Sequence, residues 1–400
     1  MSGGQTSVFD AKLSSILASN PVMYRRFLVG LGPLMLVLVS LVAFAPVSQA
    51  QSGRVQQTPT PTPETDTVRI ATEEIKLNVL AFDESGKFFS DVTPRDLVIT
   101  ENNVLHQPSS VRRIPANVLI VMDTGGELRS VKSLDQTRKV AKAVVGALRK
   151  DDEVALLQYS DKAEIVSEWT ADKAETVSAI MKRTTFGRRS AYIEALRLAT
   201  DFLLKTPLEN RHLVLITDGT DSQGRSSAKF DAFQRLLTTD ISVHVICYSS
   251  MEAAGIEPRT KGITNSPAPK AMPDEIAATL PNGPRQASQA AKVGPTIIID
   301  PSLVKKLKAR KVELENSQEQ LEKAAEDTNG EFLLPDSTDE MIDKSPLVAR
   351  MIDSAYVVTY MPKLPVVETR GIAERDIQVT SKRPGLVVQA RRRLVIKTGK

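Results

Sequence analysis

The sequence predicts an α/β fold: a doubly wound, mostly parallel sheet flanked by small β segments. Two observations predict it. Residues 115–250 alternate short apolar runs with stretches of helical apolar spacing, the pattern of strand–helix–strand units. Two of those runs, 118–122 and 213–216, lead into an acidic residue and glycine: Asp123 before Thr124, Gly125 and Gly126, and Asp218 before Gly219. An unbroken apolar run is a strand buried on both faces, and glycine lets the chain turn sharply behind it. Both aspartates therefore fall at the carboxyl edge of one sheet, where ligands bind in open α/β folds.

Taken in order, residues 1–50 hold a long apolar stretch, 27–45, behind Arg25 and Arg26. Ser48, Gln49 and Ala50 follow it, and small residues there are what a signal peptidase reads. The stretch is also about long enough to span a bilayer, so it reads as a signal peptide or an N-terminal membrane anchor. Either way the arginines stay inside and the rest of the chain is exported: periplasmic, at the cell surface or secreted. Residues 51–67 are rich in Pro, Thr and Gln, and alternating proline stiffens them into an extended linker.

Residues 68–114 read as a β-rich flank. Strands are expected over 75–82, from Phe88 and Phe89, and over 97–100, with turns at 83–86 and 101–103. The main segment, 115–350, has strands expected at 118–122, 154–159, 163–169, 213–216 and 241–248. Its helices are expected up to Leu148, near 173–181, over 190–204 and near 230–237. Residues 251–300 break the pattern with seven prolines and read as an insertion at the sheet edge. Ser302 is placed to cap the next helix, whose apolar face is Leu303, Leu307, Leu314 and Leu321. Its first half is basic (Lys305, Lys306, Lys308, Arg310, Lys311) and its second half acidic, an order that opposes the helix dipole, so packing must hold it. A last sheet strand is expected at 331–334 and one helix over 339–351. Residues 351–400 form a C-terminal β flank. Neither flank is long enough to bury a core alone, so each should pack on the other or on the main segment.

Composition narrows the function classes. A chain of 400 residues with 41% apolar content can bury a sizeable core in two or three domains. Aromatics at 4% leave no stacking surface for single-stranded nucleic acid. Half of the net charge of +4 sits in residues 1–50, and the remaining +2 is too small to argue for nucleic acid. The one cysteine, Cys247, lies in an apolar run and reads as a buried strand thiol. His106, His212 and His244 are scattered without metal-ligand spacing.

The two aspartate turns together resemble a von Willebrand factor A domain, a Rossmann-like fold whose metal-ion-dependent adhesion site uses Asp-x-Ser-x-Ser, a Thr and an Asp. The resemblance places Asp123 at the first acid, Ser190 at the threonine and Asp218 at the last acid. Gly125 and Glu127 stand where the two serines would be. With the β segments on both sides, residues 68–396 resemble the bacterial VWFA-related exported proteins.

That resemblance implies a metal set of Asp123, Ser190, Asp218 and Glu127, with Thr124, Gly125, Gly126 and Gly219 as ligand-binding positions beside it. Gly125 supplies no ligand oxygen. Glu127, turned inward, would over-neutralise a divalent ion together with the two aspartates. The site is therefore degenerate: it would hold Mg²⁺ or Mn²⁺ weakly, or no cofactor. Replacing Gly125 and Glu127 by serine should rebuild it. The expected function is an exported protein-interaction module, adhesive or scaffolding and not an enzyme, with a protein partner in the envelope or outside the cell. The competing class is a secreted hydrolase using Asp123 and Asp218. Against it, the Asp-Thr-Gly run resembles aspartic proteases, but those are mostly β, whereas helices follow both turns here. No Gly-rich phosphate loop or Gly-x-Ser-x-Gly elbow is present either.

Overall fold

Alternating apolar and polar residues make Ile75–Phe82 the first strand, β1, with Leu77, Val79 and Ala81 buried. The turn behind it is held by the Asp83 carboxylate, which accepts from the backbone N–H of Ser85 and of Lys87, each at 2.9 Å. The strand expected from Phe88 is reduced to a single bridge between Phe88 and Phe82. A short 3₁₀ turn then leads into β2 (Leu97–Glu101) and β3 (Val104–His106). Asn102 and Asn103 join these two at φ 47° and 66°, left-handed values that asparagine tolerates in a tight hairpin turn. Strand β4 is Ser110–Arg112. The structure is a computed structural model describing residues 74–126, 133–222, 226–261, 263–264, 296–297, 301–363 and 372–397.

Strand and helix then alternate as β5 (Asn117–Asp123), α1 (Leu134–Ala147), β6 (Glu153–Tyr159), β7 (Ala163–Thr170), α2 (Lys173–Arg183), α3 (Tyr192–Lys205), β8 (Arg211–Thr217), α4 (Ser226–Leu237) and β9 (Ser242–Cys247). Helix α5 (Ser249–Ile256) follows at once, so the expected pattern break at residue 251 comes later than predicted. Two short strands, β10 (Ile263–Thr264) and β11 (Thr296–Ile297), pair antiparallel; most of the predicted insertion lies outside the described residues. Helix α6 is Pro301–Asp327. Ser302 is thus inside its first turn rather than its cap, with proline at the start where a missing N–H costs nothing. Next come β12 (Phe332–Leu333), α7 (Thr338–Lys344) and α8 (Pro346–Asp353). The single helix expected over 339–351 is two, because Pro346 has no N–H to continue the ladder and starts a new helix after Ser345.

The central sheet has six strands in the order β12-β9-β8-β5-β6-β7. All pairs are parallel except the β6–β7 edge. Its fold is the doubly wound α/β class. Side chains of β5 alternate between two cores. Val118, Ile120 and Met122 pack with Val140, Val144, Val348 and Ile352 on one face. Leu119 and Val121 pack with Leu196, Leu203, Leu236 and Leu321 on the other.

The chain ends in β13 (Ala355–Tyr360), β14 (Ile372–Ser381), β15 (Val387–Ala390) and β16 (Arg393–Lys397). These interleave with the leading strands in two antiparallel sheets, ordered β15-β1-β13-β4 and β16-β14-β2-β3. Leu77 faces Val358 in register, and Val379 faces Ile99. Between the sheets lie Leu77, Val79, Leu97, Ile99, Tyr356, Val358 and Ile377, all buried. Every described residue falls within one unit, Ile70–Lys400. The predicted signal or anchor, 1–50, and linker, 51–67, lie outside the described residues. Among the described residues no helix is long and apolar enough to cross a membrane.

Candidate functional site

Because β5, β8 and β9 are parallel neighbours, their ends bring Asp123, Asp218 and Tyr248 to one edge. Asp123 is buried. Its Oδ1 accepts from the Gly125 N–H at 3.0 Å, and its Oδ2 accepts from the Tyr248 hydroxyl. Asp218 is buried too, with Oδ1 accepting from the Thr220 N–H at 2.9 Å and the Thr220 hydroxyl at 2.6 Å. Its Oδ2 lies 3.0 Å from Nη2 of Arg310.

Helix length explains how Arg310 reaches this edge. At about 1.5 Å per residue the 27 residues of α6 run about 40 Å. Strand β9, at about 3.3 Å per residue, spans only about 20 Å over its 6 residues. The helix descends to Thr328, whose hydroxyl accepts from the Val243 N–H near the start of β9, so its first half overhangs the carboxyl edge. Leu314 and Leu321 are fully buried and fix its rotation, Leu307 almost so. Lys311 pairs with Glu257 at 3.1 Å, and Arg310 pairs also with Glu313 at 3.2 Å. Burial pulls the Arg310 pKa down, but Asp218 and then Glu313 outweigh it and the net direction is up. These acids offset the unfavourable run of positive charge in the helix's first half.

The remaining predicted residues have specific places. Ser190 is buried, donating its hydroxyl to the Thr220 carbonyl at 2.8 Å and its N–H to the Ser222 hydroxyl at 2.8 Å. Thr124 is fully buried, and its hydroxyl donates back to the Tyr159 carbonyl at 3.1 Å rather than outward. Gly126 and Gly219 sit at φ 134° and 72°, conformations that side chains resist. Gly219 is also overlain by α6: a Cβ there would lie 2.7 Å from Leu321 Cδ1. Glu127 lies outside the described residues. At Gly125 a Cβ would stand 1.8 Å from the Arg189 carbonyl oxygen and 2.8 Å from Ser160 Cα, both backbone atoms. The expectation that serine could be restored here is therefore wrong: the loop carrying Arg189 closes on the backbone where the serine would begin.

Four contributors escape sequence reasoning. Arg310 and Tyr248 engage the two acids. Lys229 Nζ donates to the Gly219 carbonyl at 2.8 Å and to Ser317 of α6 at 3.0 Å; burial lowers its pKa against the pull of Glu313, Asp218 and Asp221. Asp221 caps α3 from another loop by accepting from the Ile193 N–H at 2.8 Å. The one signal for Arg310 was the basic first half of its helix, which needed acids from elsewhere. Beneath the edge, the Tyr159 hydroxyl shares a 2.5 Å hydrogen bond with Thr217. Burial first, then Asp123 and Asp218, hold its pKa well above the usual phenol range.

Residues 118–220 match the family model of the von Willebrand factor type A domain. These residues form a von Willebrand factor type A domain. Among solved structures, an aerotolerance-related membrane protein from Bacteroides fragilis is similar at 16% identity and TM-score 0.36, covering 60% of this chain and 98% of that one. The manganese-loaded TRAP protein of Plasmodium vivax is similar at 11% identity and TM-score 0.34, covering 74% and 97%. A von Willebrand factor type A structure from Catenulispora acidiphila is similar at 14% and TM-score 0.32, covering 78% and 75%. No curated protein matches the sequence.

A divalent cation does not fit this A-domain edge as it stands. A guanidinium already contacts Oδ2 of Asp218. The ammonium of Lys229 stands on the adjoining Gly219 carbonyl. Position 125 has neither a ligand oxygen nor room for one. Among the described residues no group of three or more His, Cys, Asp or Glu is placed to hold a metal ion.

Proposed function

We propose that this chain is an exported protein-interaction module, adhesive or scaffolding and non-enzymatic, with a degenerate metal-ion-dependent adhesion site at Asp123, Ser190 and Asp218. The family match supports an interaction module. The observation that carries the non-enzymatic part is the engagement of the two acids by different partners: Asp123 accepts from Tyr248, and Asp218 pairs with Arg310. A hydrolase needs carboxylates that share a proton or aim a water at substrate. These two instead satisfy donors of their own chain. Export is supported by Arg25 and Arg26 ahead of the apolar stretch 27–45.

A photo-crosslinking residue in place of Arg188, exposed on the loop before Ser190, tests the interaction surface in intact cells. A discrete crosslinked protein is expected there and not from Lys150, at the opposite edge of the sheet. Equal labelling from both positions would remove the edge as the binding surface. A phosphatase reporter fused after Thr67 should be active if the chain is exported. Cleavage of casein at acidic pH, abolished by Asp123→Asn, would instead establish the hydrolase.

A further inference from the structure

We propose that Arg310 is the resident cation of the A-domain edge, a ligand supplied in cis by α6 in place of a divalent metal. Three features converge on it. The guanidinium lies 3.0 Å from Oδ2 of Asp218, while Thr220 donates to Oδ1. The Asp218 side chain is only 5% exposed and that of Arg310 19%, so the pair is shielded from the water that weakens surface ion pairs. The helix that carries Arg310 is seated against the site itself. Leu321 packs over Gly219, Ser317 is bridged to the Gly219 carbonyl by Lys229, and Gln318 accepts from Ser249 at 2.8 Å. Gly219 at φ 72° leaves the space that lets α6 approach so closely.

An adhesion site of this fold class presents a cation that an acidic ligand can reach. Here the cation is fixed on a five-donor planar group whose other arm is taken by Glu313 at 3.2 Å. The site is therefore self-liganded. An external divalent ion and the docked α6 exclude each other, because both require the same oxygen of Asp218.

The test uses the full chain, Mn²⁺ as the probe, and two readouts: electron paramagnetic resonance of free Mn²⁺ and melting temperature. Wild type should bind no Mn²⁺ above background, and neither Mn²⁺ nor EDTA should move its melting temperature. Arg310→Gln frees Asp218 while keeping a polar side chain on α6. It should melt lower than wild type and bind Mn²⁺ at least about tenfold more tightly. Saturating Mn²⁺ should then raise its melting temperature by about 5 °C. Adding Asp218→Asn to that variant should abolish both gains. Binding of Mn²⁺ by wild type as tight as by Arg310→Gln would overturn the proposal, as would Arg310→Gln gaining nothing. Should Arg310→Gln not fold, the wild-type arm decides alone: a melting temperature that EDTA lowers overturns the proposal, and one that EDTA leaves in place supports it. Neither readout depends on a binding partner, so a failed crosslinking experiment and a failed metal test are separable.

Discussion

Asn329 donates its side-chain amide to the backbone carbonyl of Asn78, 3.1 Å away across 251 residues of sequence. The same amide donates to the Gln389 carbonyl at 3.2 Å. One residue at the end of α6 thus ties the A domain to β1, which precedes it, and to β15, which follows it. Asn329 holds φ 58°, so it also turns the chain out of the helix in the left-handed conformation. Two substitutions separate these roles. Asn329→Gly keeps the turn and loses the amide, and should cost about 1–2 kcal/mol in urea unfolding. Asn329→Ala loses both and should cost about 1 kcal/mol more. Equal losses would show that the turn carries no strain.

Gly125→Ser should destabilise the protein by about 2–3 kcal/mol, because the new Cβ overlaps backbone that cannot rotate away. Denaturant midpoints for the single variant, with and without Mg²⁺, decide it. A stable variant whose midpoint rises with Mg²⁺ would mean that the Arg189 loop yields and that a serine ligand can be rebuilt.

His212 and His244 should make the fold acid-sensitive. Their rings are 3.0 Å apart, Nδ1 of His212 to Nε2 of His244, fully inside the parallel sheet. Because the Glu331 N–H donates to His244 Nδ1, His244 carries its proton on Nε2 and donates to His212, which donates to Asn210 Oδ1 at 2.8 Å. Burial lowers the His244 pKa to about 3; burial and then His244 lower that of His212 well below 6.5. Folded values below the unfolded one mean that unfolding takes up protons. Stability is full above about pH 6.5 and falls as pH drops toward the folded values, by up to about 1.4 kcal/mol per unit for each ring. Carboxylates contribute mainly below about pH 5. Urea unfolding between pH 7.5 and 5 should therefore show a clear decline, and a flat profile would mean that the pair opens to water before global unfolding.

Truncation after residue 363 should unfold the leading strands. It removes β14 to β16, whose Ile377 and Leu394 cover Leu97 and Ile99. Limited proteolysis of residues 74–112 should then be fast while the six-stranded sheet stays protected. Continued resistance of that segment would show that β1 and β2 hold on β13 alone.

The strands were the legible part because each is encoded within itself. Residues 118–122 are buried on both faces and read as an apolar run; residues 75–79 alternate buried and half-buried positions and read as an alternation. Helix ends were less legible where a single backbone rule decided them, as at Pro346. The arrangement at the site was hidden for a different reason. Arg310 is 92 residues from Asp218, and their meeting depends on how far α6 outreaches β9. No local pattern encodes that overhang. The clash at Gly125 is likewise set by a carbonyl in another loop, so a glycine that looks like a missing serine in one dimension is a packing requirement in three. The histidines looked scattered because the register of β8 and β9, Val214 facing His244, brings His212 within reach of its partner only in the folded sheet.

The chain enters the A domain through β4 and leaves it into β13, and these two strands are hydrogen-bonded neighbours, Arg112 facing Val357. Arg113 and Asp353 close the same neck with a 2.6 Å ion pair. Mechanically, the six-stranded sheet is a loop hung from a clasp. A tether pulling on the two ends of this unit would load the terminal strands β1 and β16 first, and the β4–β13 ladder only after them. Until that ladder ruptures, the force passes across the neck, and Asp123 and Asp218 stay slack even while the whole molecule is under load.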